Sequence, residues 1–147
     1  MRLTSGTPGE EDCHGGYVTI GNFDGVHLGH AAIVTLLVEK ARAAGVPAIV
    51  LTFDPHPILL LRPEMAPPGL TTLEERAGWL EALGVDAVVV YPTTPEMLAL
   101  EPKAFFEQVV GNQLGAVGLV EGPNFCFGRG RSGTIETLED LCRDAGL

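Results

Sequence analysis

The stretch that decides the fold of this chain is Tyr17-Val18-Thr19-Ile20-Gly21-Asn22-Phe23-Asp24-Gly25-Val26-His27-Leu28-Gly29-His30. Its first four residues have the β-branched and aromatic character of a strand, and the run over residues 31–44 predicts a helix. A strand, a glycine-punctuated turn and a helix N-terminus form an anion site, because unpaired N–H groups and the positive end of the helix dipole point outward there. His27 and His30 are three residues apart and share one helix face. The pattern suits a nucleotide phosphate better than a metal or a peptide.

The residues of this turn also have more ordinary interpretations. The two histidines can be polar first-turn residues without a ligand, and Asp24 can simply be the helix N-cap. Gly25 and Gly29 favour binding, since they remove side chains where a phosphate would meet the backbone. An imidazole donates a hydrogen bond when neutral and adds charge when protonated, and either form stabilises charge on a phosphate. We predict catalytic roles for His27 and His30, and nucleotide binding by Gly21, Asn22, Phe23, Asp24, Gly25 and Gly29.

The same residues resemble a known family signature. His-x-Gly-His after a first strand marks nucleotidyltransferases of Rossmann-like fold, and residues 27–30 have this form. The longer form, Gly-Asn-Phe-Asp-Gly-Val-His-x-Gly-His, resembles the FAD synthetase family, the FMN adenylyltransferase domain of bacterial riboflavin kinase/FAD synthetases. Four residues alone are a weak signal, whereas ten residues in a strand–turn–helix context are specific.

Composition bounds the class of protein. The chain has 147 residues, 46% hydrophobic and 19% charged, which is enough for one globular domain with a single core. Its net charge of −10 argues against DNA or RNA as a partner, because phosphate backbones need a basic face. A small nucleotide stays compatible, since its site can be locally basic.

Targeting and redox signals are few. Cys13, Cys126 and Cys142 are odd in number and widely spaced, which predicts reduced thiols rather than a disulfide frame or a zinc site. Neither a signal peptide nor an apolar run of the ~18 residues that a membrane helix needs is present. We therefore expect a soluble, cytoplasmic protein with no membrane partner, a flexible segment over residues 1–16 and one domain over 17–147; the sequence leaves the oligomeric state open.

Strand-like and helix-like runs alternate along the chain. The strands are predicted at residues 17–21, 48–53, 87–91 and 115–121, and the helices at 27–44, 73–83, 103–114 and 135–145. Right-handed crossovers then give an α/β fold, an open parallel sheet with helices on both faces. Ligands of such sheets bind beyond the carboxyl ends of the strands, where the loops 22–26, 54–70 and 122–133 begin.

The loop after the second strand begins Phe53-Asp54-Pro55-His56-Pro57. Asp-Pro is common in ordinary loops, but two prolines here hold the chain extended around a histidine. The segment resembles a loop of the FAD synthetase family that lies by the flavin and nucleotide, which implies flavin or phosphate binding by these five residues. The apolar residues 58–61 that follow can pack in the core or line the flavin site; both alternatives stay open.

The loop after the fourth strand is rich in glycine. It can be a solvated loop, but its position favours a clamp in which Asn124 forms hydrogen bonds, Phe125 and Phe127 pack or stack, and two arginines bind phosphate. It resembles the family's Gly-x-Asp/Asn-Phe-x-Phe-Gly segment, with a departure around Glu121 to Pro123. The predicted flavin- or phosphate-binding residues of this loop are Asn124, Phe125, Phe127, Arg129 and Arg131.

The resemblance implies an activity: AMP transfer from ATP to FMN, giving FAD and pyrophosphate, by direct in-line attack and with Mg²⁺. The metal ligands are unknown; the phosphates would hold the ion, with Asp24 as a possible contact. Alternatives are another His-x-Gly-His transferase, acting on phosphopantetheine or using CTP, and a non-catalytic flavin- or nucleotide-binding homologue.

The family's adenylyltransferase domain continues with a further strand and an Ile-Ser-Ser-Thr-x-Ile-Arg-like segment, which this sequence lacks, as it lacks the riboflavin kinase barrel. We therefore expect the domain to be truncated at its C-terminus, with the last strand of the fold missing and turnover impaired.

Overall fold

The computed structural model describes residues 2–5, 14–23, 28–54, 64 and 73–147. Its centre is one sheet of five parallel strands in the order β1-β4-β3-β2-β5. The strands are β1 (Arg2–Ser5), β2 (Tyr17–Ile20), β3 (Ala48–Asp54), β4 (Ala87–Pro92) and β5 (Gly118–Leu119).

Helices connect the strands. They are α1 (Leu28–Ala44), α2 (Leu73–Ala82), α3 (Pro95–Leu98), α4 (Pro102–Phe105), a π-helix (Phe106–Gln113), a 3₁₀ turn (Arg129–Arg131) and α5 (Ile135–Ala145). The bounds of α5 are those predicted, because both ends carry clear signals. Thr134 and Thr137 cap its start reciprocally, and Gly146, with a φ of 80°, ends it in the left-handed conformation.

The sheet has an apolar core on each face. On one face, alternate strand residues such as Ile49 and Leu51 pack with the π-helix and α5. On the other, their neighbours such as Val50 pack with α1 and α2. Successive side chains of a strand point to opposite faces, so a strand buried on both sides needs a continuous apolar run, as in residues 48–51 of β3 and 87–90 of β4. The predicted parallel sheet with helices on both faces is confirmed.

The N-terminus contains a strand that the sequence pattern does not predict. Within residues 1–16, Arg2–Ser5 form β1 and pair in parallel with β4, with Arg2 beside Ala87 and Ser5 beside Val90. Four residues are too few for a periodic pattern to be recognised in the sequence. The strand becomes evident only through its pairing with the edge of β4.

The second half of the chain also differs in detail. The predicted strand over residues 115–121 is reduced to two paired residues in β5, and the predicted helix over 103–114 divides into α4 and the π-helix. Buried residues of that helical stretch come in adjacent pairs four apart, Phe105 with Phe106 and Val109 with Val110, so they share one face toward the core. The short helix α3, capped by Thr94, was not predicted.

Two findings concern the expected environment. No helix in the described part of the chain is long and apolar enough to cross a membrane. Cys126 and Cys142 are free cysteines, and Cys13 lies outside the described residues.

Candidate functional site

A cleft of about 330 Å³ opens where β2 and β5 end beside the start of α1. The chain passes from β2 to β3 on one side and returns to β5 on the other, so this is the point where the strand order reverses. Ligands of open α/β sheets bind at such points. The lining residues are Thr19, Ile20, Gly21, Phe23, His30, Ile33, Glu121, Gly122, Pro123, Asn124 and Phe125.

The turn after β2 is shaped by Phe23. Its φ of 53° is in the left-handed region, which is unfavourable for a residue with a side chain, but only 5% of the residue is exposed. The ring folds back over Gly21, where an added Cβ would lie 2.9 Å from Phe23 Cε2. Gly21 is therefore required by the aromatic ring at least as much as by a ligand.

The carbonyl oxygen of Asn22 anchors the same turn to the rest of the fold. It accepts hydrogen bonds from Arg76 Nη1 at 2.6 Å and from Thr52 Oγ1 at 3.3 Å. The side-chain Oδ1 of Asn22 is buried and has no hydrogen-bond partner among the described residues. A buried polar atom of this kind marks a place where a ligand or a water can bind.

His30 is in the first turn of α1 and lines the cleft. Its ring packs against Phe23 in an edge-to-face arrangement, with the centroids 5.1 Å apart and the planes at 64°. This contact fixes the imidazole at the helix N-terminus, where the dipole favours an anion.

Glu121 follows β5 and reaches across to β2. Its Oε1 accepts the backbone N–H of Ile20 at 2.5 Å and the hydroxyl of the fully buried Thr19 at 3.4 Å. Burial raises the pKa of the Glu121 carboxyl to about 8, although both hydrogen bonds act in the opposite direction. At neutral pH the cleft therefore contains a protonated carboxylic acid, which does not repel a phosphate.

The glycine-rich loop contributes to the cleft through Asn124 and Phe125. Phe125 stacks on Phe127 with centroids 5.5 Å apart and planes at 11°, and Phe127 in turn packs against Phe105. Phe127 is buried and hydrogen-bonds with Gly133 in both directions. It therefore supports Phe125 from the core, and it does not line the cleft.

The two arginines of this loop lie elsewhere. Arg129 Nη1 is 3.7 Å from Glu101 Oε1, with both side chains mostly exposed. Arg131 is exposed with a φ of 57°. Neither arginine lines the cleft. Their binding of phosphate or flavin therefore stays a prediction, and the structure does not place them beside His30.

The predicted flavin loop is described only at its start. Phe53 packs edge-to-face against Tyr91, with the centroids 6.5 Å apart, and the carbonyl oxygen of Asp54 accepts the N–H of Thr93 at 3.2 Å. Pro55, His56 and Pro57 lie outside the described residues, as do Asp24, Gly25 and His27 from the first loop; Gly29 is described only as part of α1.

The described residues do not form a metal centre of their own. No group of three His, Cys, Asp or Glu side chains suited to an ion occurs within this part of the chain.

Three residues of the site escaped the sequence-based prediction. Thr52 and Arg76 act through bonds to Asn22 from positions 30 and 54 residues away, for which no local pattern exists. Glu121 had a usable signal, because an acidic residue at the end of an apolar strand, directly before Gly122, requires an explanation.

Comparison with known proteins shows the family of the chain. A family model described as FAD synthetase matches residues 9–147. The bifunctional riboflavin kinase/FMN adenylyltransferase of Escherichia coli strain K12 is 37% identical over 130 residues, covering 88% of this chain and 42% of the relative. The protein of the same name from Pseudomonas fluorescens is 37% identical over 95% of this chain and 45% of its own length. The chain thus spans less than half the length of these curated relatives.

A solved structure supports the fold. The crystal structure of a macrolide-efflux protein from Streptococcus pneumoniae matches with a TM-score of 0.81, over 96% of this chain and 47% of that chain. At 22% sequence identity, this likeness shows the shared fold alone.

Proposed function

The chain belongs to the FAD synthetase family, and on that premise we propose that it is an FMN adenylyltransferase domain. It would transfer AMP from ATP to FMN, giving FAD and pyrophosphate, with its reaction centre in the cleft between β2 and β5. The cytoplasmic location expected from the sequence belongs to the same proposal.

One observation carries the proposal. The cleft joins two loops that are a hundred residues apart in the sequence, each with a family-like motif, at a helix N-terminus. His30, Asn124 and Phe125 thereby come to one place. The helix N-terminus can bind a phosphate, and the Asn124 amide and the Phe125 ring can bind a heterocycle. A site that joins two nucleotides needs these groups together.

The chemistry expected of these residues is positioning and charge stabilisation. Nucleotidyl transfer needs an aligned acceptor phosphate and a stabilised leaving pyrophosphate, with little covalent help from the protein. The N-terminus of α1 would bind phosphate oxygens, and the His30 imidazole would donate to charge that grows in the transition state. Because Glu121 is neutral, it adds no negative charge that would weaken the binding of phosphate oxygens.

Mg²⁺, when bound with the nucleotide, would neutralise phosphate charge. In this proposal the phosphates of the nucleotide would be its main ligands, and the protein would hold those phosphates in place. Asp24 stays a predicted contact.

The direct test is FAD formation by the purified chain. FMN, ATP and Mg²⁺ are incubated with the protein and the flavin dinucleotide is quantified by chromatography. The controls are a no-protein sample and CTP in place of ATP, which would give the cytidine analogue of FAD. FAD from ATP alone supports the proposal. FMN or ATP binding without FAD would favour the non-catalytic homologue, and equal use of CTP would favour another transferase.

A further inference from the structure

Glu121 has no task in the chemistry above beyond being uncharged, yet its position in the cleft is well defined. Its Oε1 accepts two hydrogen bonds from β2, from the Ile20 N–H at 2.5 Å and the Thr19 hydroxyl at 3.4 Å. Its other oxygen, Oε2, has no hydrogen-bond partner among the described residues. The side chain therefore has one fixed oxygen and one available oxygen, and it borders both the cleft that contains Asn124 and the groove on its other side.

The local backbone explains why Glu121 takes this position. The ladder between β5 and β2 continues only as far as the bond from Val120 N–H to the Val18 carbonyl at 3.0 Å. Gly122 and Pro123 then turn the chain away, so Ile20 loses the carbonyl partner that a longer β5 would have supplied. The Glu121 carboxyl replaces that carbonyl and satisfies a buried N–H, which is costly to leave unpaired.

The protonation state determines what the available oxygen can bind. With the carboxyl pKa raised by burial to about 8, the group is mostly neutral at pH 7. Oε1 already accepts twice, so the proton is best placed on Oε2. A carboxylic acid O–H donates one hydrogen bond and its oxygen can accept another, which is the same combination that a hydroxyl group offers.

We propose that Glu121 is a specificity-determining residue that binds the hydroxyl groups of the ligand through Oε2. The hydroxyls would belong to the ribose of the nucleotide or to the ribityl chain of the flavin, which share this chemistry. The inference rests on the proposed function, because that function brings both ligands to the cleft. A buried group that hydrogen-bonds a ligand hydroxyl discriminates against an analogue that lacks it.

The test compares ligand pairs that differ in hydroxyl groups. Binding is measured by calorimetry or fluorescence for ATP against 2′-deoxyATP and 3′-deoxyATP, and for riboflavin against lumiflavin. The wild type should bind the hydroxyl-bearing member of one pair roughly fivefold to tenfold more tightly, the effect of one net hydrogen bond. The pair that responds identifies the source of the hydroxyl.

Two variants assign the preference to Glu121. Glu121→Gln keeps an acceptor for Ile20 and a donor toward the cleft, so it should retain most of the preference, whereas Glu121→Leu should lose it. Glu136→Gln, at an exposed position of α5 outside the cleft, is the matched control and should behave as wild type. A wild type without any preference, or a preference unchanged in Glu121→Leu, would overturn the proposal.

Glu121→Leu also removes the acceptor of Ile20 and Thr19, so a pH arm guards against a variant that does not fold. The wild type's affinity for the ligand that showed the hydroxyl preference should fall severalfold between pH 7 and pH 9 as Oε2 loses its proton, while Glu121→Gln stays constant. His30 on α1 faces the same cleft; Tyr17, Lys40, Glu139, Cys142 and Arg143 line the groove on the other side of Glu121. The wild type and Glu121→Gln share all of these residues. A parallel fall of ligand affinity in both proteins would therefore overturn the proposal.

The two hypotheses fail in different ways. Retained hydroxyl preference without FAD formation would refute the adenylyltransferase and leave the role of Glu121 intact. FAD formation without hydroxyl preference would do the reverse, and the absence of binding by all of these ligands would overturn both.

Discussion

At the scale of single residues, the site depends on contacts that decide which side chain fits where. Gly21 must lack a side chain because the ring of Phe23 occupies the space, and Phe23 tolerates a positive φ because its ring is buried. Glu121 stays protonated because burial outweighs its hydrogen bonds. Each of these effects can be tested by a single substitution.

Two glycines should respond oppositely to alanine. In Gly21→Ala the new Cβ would lie 2.9 Å from the Phe23 ring, so we expect a loss of roughly 1–3 kcal/mol in the free energy of unfolding. Gly78, inside α2, has no atom within 4 Å of an added Cβ, and Gly78→Ala should stabilise by about 0.4–1 kcal/mol. Urea denaturation measures both; a neutral Gly21→Ala would show that the ring moves aside freely.

The pKa of Glu121 predicts a pH-dependent stability. Between its ordinary value of 4.5 and the folded value of about 8, the folded protein retains a proton that the unfolded chain releases. The free energy of unfolding should therefore fall as the pH rises through this window, by at most about 1.4 kcal/mol per pH unit. Glu121→Gln should remove this slope, and the control Glu136→Gln should keep it. Denaturation at pH 5, 6, 7 and 8 measures the slope. Identical pH profiles for the wild type and Glu121→Gln would contradict the burial of the Glu121 carboxyl.

His30 should act mainly in the transition state. If the chain makes FAD, His30→Ala should lower kcat by roughly a hundredfold with a smaller change in the nucleotide KM, since its interaction strengthens as phosphate charge grows. His14→Ala, at an exposed position outside the cleft, is the control. Steady-state FAD synthesis with unchanged kcat in His30→Ala would remove this histidine from the mechanism.

At the scale of secondary-structure elements, Asp86 joins α1, β3 and the start of β4. Its carboxylate pairs with Arg42 at 2.7 Å and accepts the N–H of the buried Ala48 at 2.8 Å. Burial opposes ionisation, but these bonds prevail and lower the pKa of Asp86. Arg42 also donates to the Gly84 carbonyl, so a single charged pair fixes the ends of three elements away from the cleft.

The two partners should contribute unequally to stability. Asp86→Ala leaves the Ala48 N–H without its acceptor and should cost roughly 1–3 kcal/mol. Arg42→Ala removes only an exposed ion pair and a surface bond, and should cost about 1 kcal/mol or less. Because the pKa of Asp86 is lowered, its contribution is present above the ordinary aspartate value and should disappear as the pH falls through the folded value. Denaturation of both variants at pH 7 and pH 3 measures this; equal losses at pH 7 would be contrary to this account.

At the scale of the whole molecule, the sheet separates two cores. Val34 of α1 and Val50 of β3 belong to one core, while Val109 of the π-helix belongs to the other, and all three are fully buried. The sheet carries the cleft at its edge and receives rigid support from both faces.

The separation predicts additive energetics. Val34→Ala and Val109→Ala should each cost about 2 kcal/mol, and the double variant should equal their sum within about 0.5 kcal/mol. Val34→Ala with Val50→Ala, within one core, is the comparison pair and should deviate more from additivity. Urea titrations of the five variants test this, and strong coupling across the sheet would contradict two independent cores.

The sequence by itself determined the alternating architecture, the long helix that follows β2 and the family. These features arise from local patterns: an apolar run for each doubly covered strand, a capping threonine at α5, and a ten-residue motif. The prediction failed where the signal was not local, since the four-residue β1 forms only along the free edge of β4 and the shortness of β5 depends on the turn at Gly122.

Only the tertiary structure decided which of the predicted site residues meet. It brings Asn124 and Phe125 to His30, but it pairs Arg129 with Glu101 and packs Phe127 in the core. It also adds Glu121, whose raised pKa requires burial beside β2. The physical reason is that hydrogen bonding and burial join residues far apart along the chain, and these interactions exist only once the sheet has formed.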